Sequence, residues 1–111
     1  MTIELDILDD VEEDSTGYLT VAFLDKDGDP SVPTSATYRI DCVTNNQSVR
    51  ASTALTPASS IEIKLAPDDN KIISDTNEYE IRELTVSASY GVGDESHASG
   101  KWRVHNLTYK A

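Results

Sequence analysis

The stretch Glu78-Tyr79-Glu80-Ile81-Arg82-Glu83-Leu84-Thr85-Val86-Ser87-Ala88-Ser89-Tyr90 is the longest strand-like run in the chain, and its reading decides the fold class. It is rich in β-branched and aromatic residues, holds no Gly or Pro, and alternates apolar with polar positions. Tyr79 and Ile81 share one parity, whereas Leu84, Val86, Ala88 and Tyr90 share the other. Successive side chains in a strand point to opposite faces, so an inward row of all these residues predicts a bulge or kink near Arg82-Glu83. Gly91-Val92-Gly93 then reads as a turn. The next run, residues 98–109, repeats the behaviour: Trp102 and Val104 on one face, Leu107 and Tyr109 on the other, which predicts a second face switch.

Working toward the N-terminus, the same period of two recurs. Ile61, Ile63 and Leu65 alternate after the Thr56-Pro57 break, and residues 49–55 read as a short edge strand. In residues 36–43, Tyr38, Ile40 and Cys42 oppose Arg39 and Asp41, with Asn45-Asn46 as the following turn. Residues 18–24 run into Asp25-Lys26-Asp27-Gly28-Asp29-Pro30, which carries the Asp-Gly turn signature. Ile3, Leu5 and Ile7 alternate with Glu4 and Asp6. Residues 67–73, opening on Pro67, Asp68 and Asp69, have room for one helical turn. Helical periodicity sustained over three turns is absent. About seven short strands separated by turn signals predict an all-β, single-domain antiparallel β-sandwich, jelly-roll or immunoglobulin-like. Residues 1–16 form an acidic N-terminal arm or edge strand, and residues 17–111 the sandwich domain.

Composition narrows the function classes. The 111 residues carry 20 Asp and Glu against 9 Lys and Arg, a formal net charge of −11 that repels phosphates and disfavours nucleic acid and anionic membrane as partners. No window approaches the roughly 18 apolar residues of a membrane span, and no basic stretch followed by an apolar run marks a leader. Glu4, Asp6, Asp9, Asp10, Glu12, Glu13 and Asp14 all precede the first cation, Lys26, so this segment is the candidate partner-binding site for a basic surface. The apolar fraction of 38% predicts a modest core, for which association with an assembly would compensate.

Residues that suggest chemistry have simpler readings. Asp25, Asp27 and Asp29 resemble the opening of a calcium loop, but position 12 of that loop is Ala36 and the glycine falls at position 4 instead of 6. His97 and His105 lack metal-ligand spacing, and no Gly-x-Ser-x-Gly occurs, so no catalytic residue, metal or cofactor is expected. Gly91 to Asp94 lacks the lysine and helix of a phosphate loop. Cys42 is the single cysteine and reads as a small buried hydrophobe of a protein folded in a reducing cytosol. Trp102 with Tyr90 and Tyr109 suggests a sugar-stacking platform, although a single tryptophan on a sandwich strand more often anchors the core.

The runs Asp25 to Asp29, Pro33-Thr34-Ser35-Ala36-Thr37-Tyr38-Arg39-Ile40, Ala54-Leu55-Thr56-Pro57-Ala58-Ser59-Ser60-Ile61, residues 81–90 and Trp102-Arg103-Val104-His105-Asn106-Leu107 together resemble small virion proteins of tailed bacteriophages. In size and acidity the chain is similar to the capsid decoration, or staple, proteins. That resemblance implies a non-enzymatic sandwich on the outer capsid surface, made in the host cytoplasm. Its partner would be the major capsid protein, which it would bridge as a symmetric oligomer, most simply a homodimer. A head-tail or tail-associated immunoglobulin-like virion module is the alternative, and a carbohydrate-binding or adhesion module a third.

Overall fold

Eight strands and one short helical turn account for about two thirds of residues 2–7, 10–74 and 76–107, which the computed structural model describes. The strands are β1 (Thr2–Asp6), β2 (Asp10–Glu12), β3 (Gly17–Leu24), β4 (Ser35–Cys42), β5 (Gln47–Leu55), β6 (Ser60–Leu65), β7 (Tyr79–Gly91) and β8 (Asp94–His105). A 3₁₀ turn, Pro67–Asn70, follows β6, started by the proline whose missing N–H costs nothing there. Three strands in the order β1-β3-β6 form one sheet, and five in the order β2-β8-β7-β4-β5 form the other.

The strand order separates the two sandwich alternatives. First, third and sixth strands in one sheet, with fourth, fifth, seventh and eighth in the other, is the immunoglobulin-like arrangement and not that of a jelly roll. The sandwich is not wholly antiparallel, because β2 runs parallel to β8, pairing Asp10 with Arg103 and Glu12 with His105. The Asp-Gly turn after β3 does not link two paired strands. It folds back through a Leu24–Pro30 bridge, and the chain then crosses to β4 in the opposite sheet.

The expected face switch near Arg82-Glu83 does not occur. Strand β7 alternates without interruption from Glu80 to Ala88, and its one irregularity lies at the far end, between Ser89 and Gly91. The inward row is Glu80, Arg82, Leu84, Val86 and Ala88, while Ile81 faces outward and Tyr79 is exposed. Apolar character misassigned the first turn of that strand, since two charged residues occupy inward positions. Strand β8 keeps one parity as well, with Trp102 and Val104 buried. It begins earlier than expected and ends at His105; Leu107 is exposed beyond it, and Tyr109 lies outside the described residues.

The core interleaves the two inner rows: Leu19, Val21 and Phe23 of β3 and Ile63 and Leu65 of β6 meet Tyr38 and Ile40 of β4, Leu84 and Val86 of β7, and Trp102 and Val104 of β8. The acidic N-terminal segment is woven across both layers. Residues of β1 pair antiparallel with β3, and β2, which begins four residues after β1 ends, joins β8 in the other sheet. Ile3, Leu5, Ile7 and Val11 are half-buried against the core on this closing side. Gly100 of β8 leaves room for this closure, because a Cβ at that position would overlap Cδ1 of Ile7. Gly100→Val should therefore destabilise the fold by about 1–3 kcal/mol in urea unfolding. Gly100→Ala should cost less, because the atom it meets is the free end of a side chain that can turn away.

Candidate interaction surface

Behind the surface lies a buried polar network, and its centre is the ion pair in the inward row of β7. Glu80 and Arg82 are fully buried, with Arg82 Nη1 donating to Glu80 Oε1 at 3.2 Å. Besides that bond, the Glu80 carboxylate accepts from the backbone N–H groups of Ile73 (2.9 Å) and Ser74 (2.9 Å), and from the side-chain amides of Asn45 (3.0 Å) and Asn77 (2.9 Å). Arg82 spends its other donors on the carbonyls of Asp69 and Lys71 and on Sγ of Cys42 at 3.1 Å. A desolvated charge persists only when partnered this fully. Cys42 is buried as expected, but it lines a guanidinium instead of an apolar pocket.

The network extends through the 3₁₀ turn. Asp69, itself buried, takes a forked pair of bonds from Arg50 of β5 at 3.1 and 2.6 Å and accepts the Ala66 N–H at 2.8 Å. Arg50 also reaches the Tyr38 hydroxyl at 2.7 Å. Neighbouring Asn70 accepts the Trp102 indole N–H at 3.0 Å and donates to the carbonyl of Ser15 at 2.7 Å. The N-terminal segment, β5, the β6–β7 connection, β7 and β8 are thereby fixed to one another by side chains.

Burial on its own would raise the Glu80 carboxyl, but donation from Ile73, Asn77, Ser74 and Arg82 outweighs it and holds the group down at about 2, against an ordinary 4.5. A carboxyl depressed by folding stabilises the fold fully above its unfolded value, and that contribution is lost as pH falls through the folded value. The gap between 4.5 and about 2 corresponds to about 3 kcal/mol. Stability should therefore decline progressively between about pH 4.5 and pH 2. Glu80→Gln should flatten that part of the urea-unfolding profile, and Glu80→Ala, which strands the buried guanidinium, should cost about 3–5 kcal/mol at neutral pH.

The described members of the seven-acid candidate partner-binding set are divided between the two sheets and the segment that follows β2. Glu4 and Asp6 lie two residues apart on the exposed face of β1, and Glu12 is exposed on β2, none of their side chains with an ion pair or hydrogen bond among the described residues. Asp10 is held by Arg103 at 2.9 Å and His105 at 2.8 Å, which pins β2 to β8; the His105 bond foremost, against slight burial, and then Arg103 lower its pKa. Glu13 accepts the Leu107 N–H at 2.7 Å, and Asp14, in the left-handed region at φ 56°, donates its N–H to the Asn70 carbonyl. Asp9 falls outside the described residues. Two of the acids are thus used inside the fold.

Other singled-out residues have local roles. Asp25 Oδ1 accepts the N–H groups of Asp27 and Asp29 at 2.8 and 3.0 Å, so this carboxylate organises its own turn, which Gly28 completes at φ 84°. His97 is exposed, with Nδ1 2.9 Å from the Ser87 hydroxyl. Trp102 is 1% exposed, which leaves no indole face for a sugar ring; Tyr90 is half-buried. Among the described residues, no three His, Cys, Asp or Glu side chains converge as a metal site.

Sequence reasoning missed Glu80, Arg82, Asp69 and Asn70. A signal existed for the first two, since they share the even parity of Leu84, Val86 and Ala88. On the outer face of the five-stranded sheet most charges pair, Glu12 excepted: Arg39 with Asp41 at 2.8 Å, Lys101 with Glu83 at 4.0 Å, Arg103 with Asp10. Arg103 also lies over the Tyr79 ring at 5.6 Å. The outer face of the three-stranded sheet instead presents Glu4, Asp6, Glu62 and Lys64 beside exposed Tyr18, without ion pairs among the described residues. No protein-family model, curated protein or solved structure matches the chain.

Proposed function

We propose that this protein is a non-enzymatic structural component of a virion, binding the outside of an assembled phage capsid and stabilising it by bridging coat subunits. The phage assignment draws on the sequence resemblance alone. The observation that supports a docking role is the division of charge between the two outer faces. One carries three ion pairs, which leave Glu12 of its edge strand over, and the other keeps Glu4, Asp6 and Glu62 unpaired among the described residues on a rigid sheet. Unpaired acids on a rigid face favour a basic partner surface and steer its approach. A binder that recognises only the assembled shell stabilises it by mass action.

The strand order favours one alternative, a head-tail or tail-associated immunoglobulin-like module. Copy number per particle separates the two, since decoration requires dozens to hundreds of copies. A glycan-binding role through Trp102 has no support from its buried position.

Mixing the purified protein with intact and with disassembled particles tests the reading. Binding should be confined to the assembled form, weaken as salt rises, and drop when Glu4 and Asp6 are both changed to Lys. Each exposed ion pair contributes only about 0–1 kcal/mol, so the double reversal should lower affinity by about tenfold. Equal binding to free coat protein, or occupancy indifferent to the reversal, would remove the proposal.

A further inference from the structure

We propose that β6 is a self-association edge, at which a second copy of this chain adds antiparallel to form a continuous six-stranded sheet in the order β1-β3-β6-β6-β3-β1. The inference does not rest on the virion reading. It rests on a comparison of the four strand edges that the two sheets leave, and on the charge pattern of one of them.

Two molecules of net charge −11 repel, so they can pair only where neither presents acid to acid. Strand β1 carries Glu4 and Asp6, and β2 carries Asp10 and Glu12 over three residues; pairing either with its own copy sets carboxylates against carboxylates. Strand β5 is uncharged apart from Arg50, but its pairing with β4 is interrupted between Tyr38 and Ile40 and again between Ile40 and Asp41. Such bulges twist an edge away from further pairing. Strand β6 has neither device: it is regular along its register with β3, contains no Pro, and bears one acid and one base, Glu62 and Lys64.

The backbone specifies which groups are available. Phe23 N–H donates to the Ser59 carbonyl, so Ser59 faces Phe23 in a hydrogen-bonded pair, as in turn do Ile61 with Val21 and Ile63 with Leu19. The N–H and C=O groups of Ser60, Glu62 and Lys64 therefore point to the open edge. Two-fold antiparallel pairing must join these residues to one another. With the axis at Ile63, Glu62 of each copy bonds Lys64 of the other, giving two cross-strand ion pairs on the outer face. Ile63 then meets Ile63 across the axis on the inner face, extending the core row. An axis at Glu62 sets Glu62 against Glu62, one at Lys64 sets Lys64 against Lys64, and axes at Ile61 or Leu65 leave neither charge opposite an unlike one. Directly opposed unlike charges stabilise a sheet and like charges oppose it, so the charge pattern selects a single register. The contact is isologous, as a closed dimer requires.

The test uses the full chain in sedimentation equilibrium, with amide exchange read at Glu62 and Lys64. Dimer should form with rising concentration, and both amides should gain protection in step with it. Lys64→Glu and Glu62→Lys each oppose like charges twice and should weaken the homodimer about tenfold. An equimolar mixture of the two variants should recover pairing, because each then presents the charge that the other lacks. Both side chains are exposed, so neither change threatens folding. A chain that stays monomeric to about 1 mM, a dimer equally strong in every variant, or protection of the two amides only in the presence of a different protein would each overturn the proposal.

Discussion

The placement of a carboxylate and a guanidinium in the inward row of β7 is the constraint on which the rest of this sandwich depends. Removing two charges from water costs several kcal/mol each, and the Coulombic attraction between them offsets this only if the remaining donors and acceptors are met. Here that need recruits chain from elsewhere. Glu80 draws in Asn45 from the β4–β5 turn and Ile73, Ser74 and Asn77 from the long β6–β7 connection, while Arg82 fastens Asp69 and Lys71. An apolar pair of similar volume would be no less stable in principle, but it would hold that connection in no particular conformation. The polar pair fixes it by direction, one N–H or carbonyl at a time. Through Asp69 the same fixation reaches Arg50 on β5, and through Asn70 it reaches Trp102 and Ser15.

This explains why the strands were legible in the sequence and the network was not. A period of two is local, and the patterns at Ile61-Ile63-Leu65 or Tyr38-Ile40-Cys42 give an element and its inward face without knowledge of the partner. The β7 misreading came from the assumption that inward means apolar. Taken from Leu84 backwards, the same alternation leads to Arg82 and Glu80 with no bulge. What makes those positions tolerable, however, is a set of hydrogen-bond partners up to 40 positions away, such as the accepting Sγ of Cys42, and nothing near residue 80 announces them. The acidic N-terminus shows the same limit. Seven like charges read as one segment for a basic partner, yet the carboxylates of Asp10 and Glu13 are hydrogen-bonded by His105 and the Leu107 amide, more than 90 positions along the chain. The strand order, and the parallel β2–β8 pairing within it, is likewise a property of contacts between distant segments.

The N-terminal segment and β6 border opposite sides of the small sheet, and they are treated differently. On one side the chain passes from β1 in the first sheet to β2 in the second, laying Ile3, Leu5, Ile7 and Val11 over the gap, with Gly100 clearing the space. The acids Glu4 and Asp6 face outward from that strap and discourage any further strand from adding to it. On the other side nothing comparable guards β6 among the described residues. The edge strand β5 of the other sheet is bulged, so two edges of one molecule differ in the regularity that strand addition needs.

These features combine geometrically if β6 pairs about a two-fold axis. Strands in a sheet lie about 4.8 Å apart, so five intervals would set the two β1 strands about 24 Å apart along one saddle-shaped surface. Glu4, Asp6 and exposed Tyr18 of both copies would then lie on that single face, with the Glu62–Lys64 pairs neutralised at its centre and the unpaired acids at its two ends. A monomer offers one acidic patch; the pair offers two, at a fixed separation. For a molecule whose proposed role is to hold two neighbouring subunits together, that separation matters more than the affinity of either patch. The second contact becomes intramolecular once the first is made, and a scaffold held rigid by its buried charges loses little of that advantage to flexing.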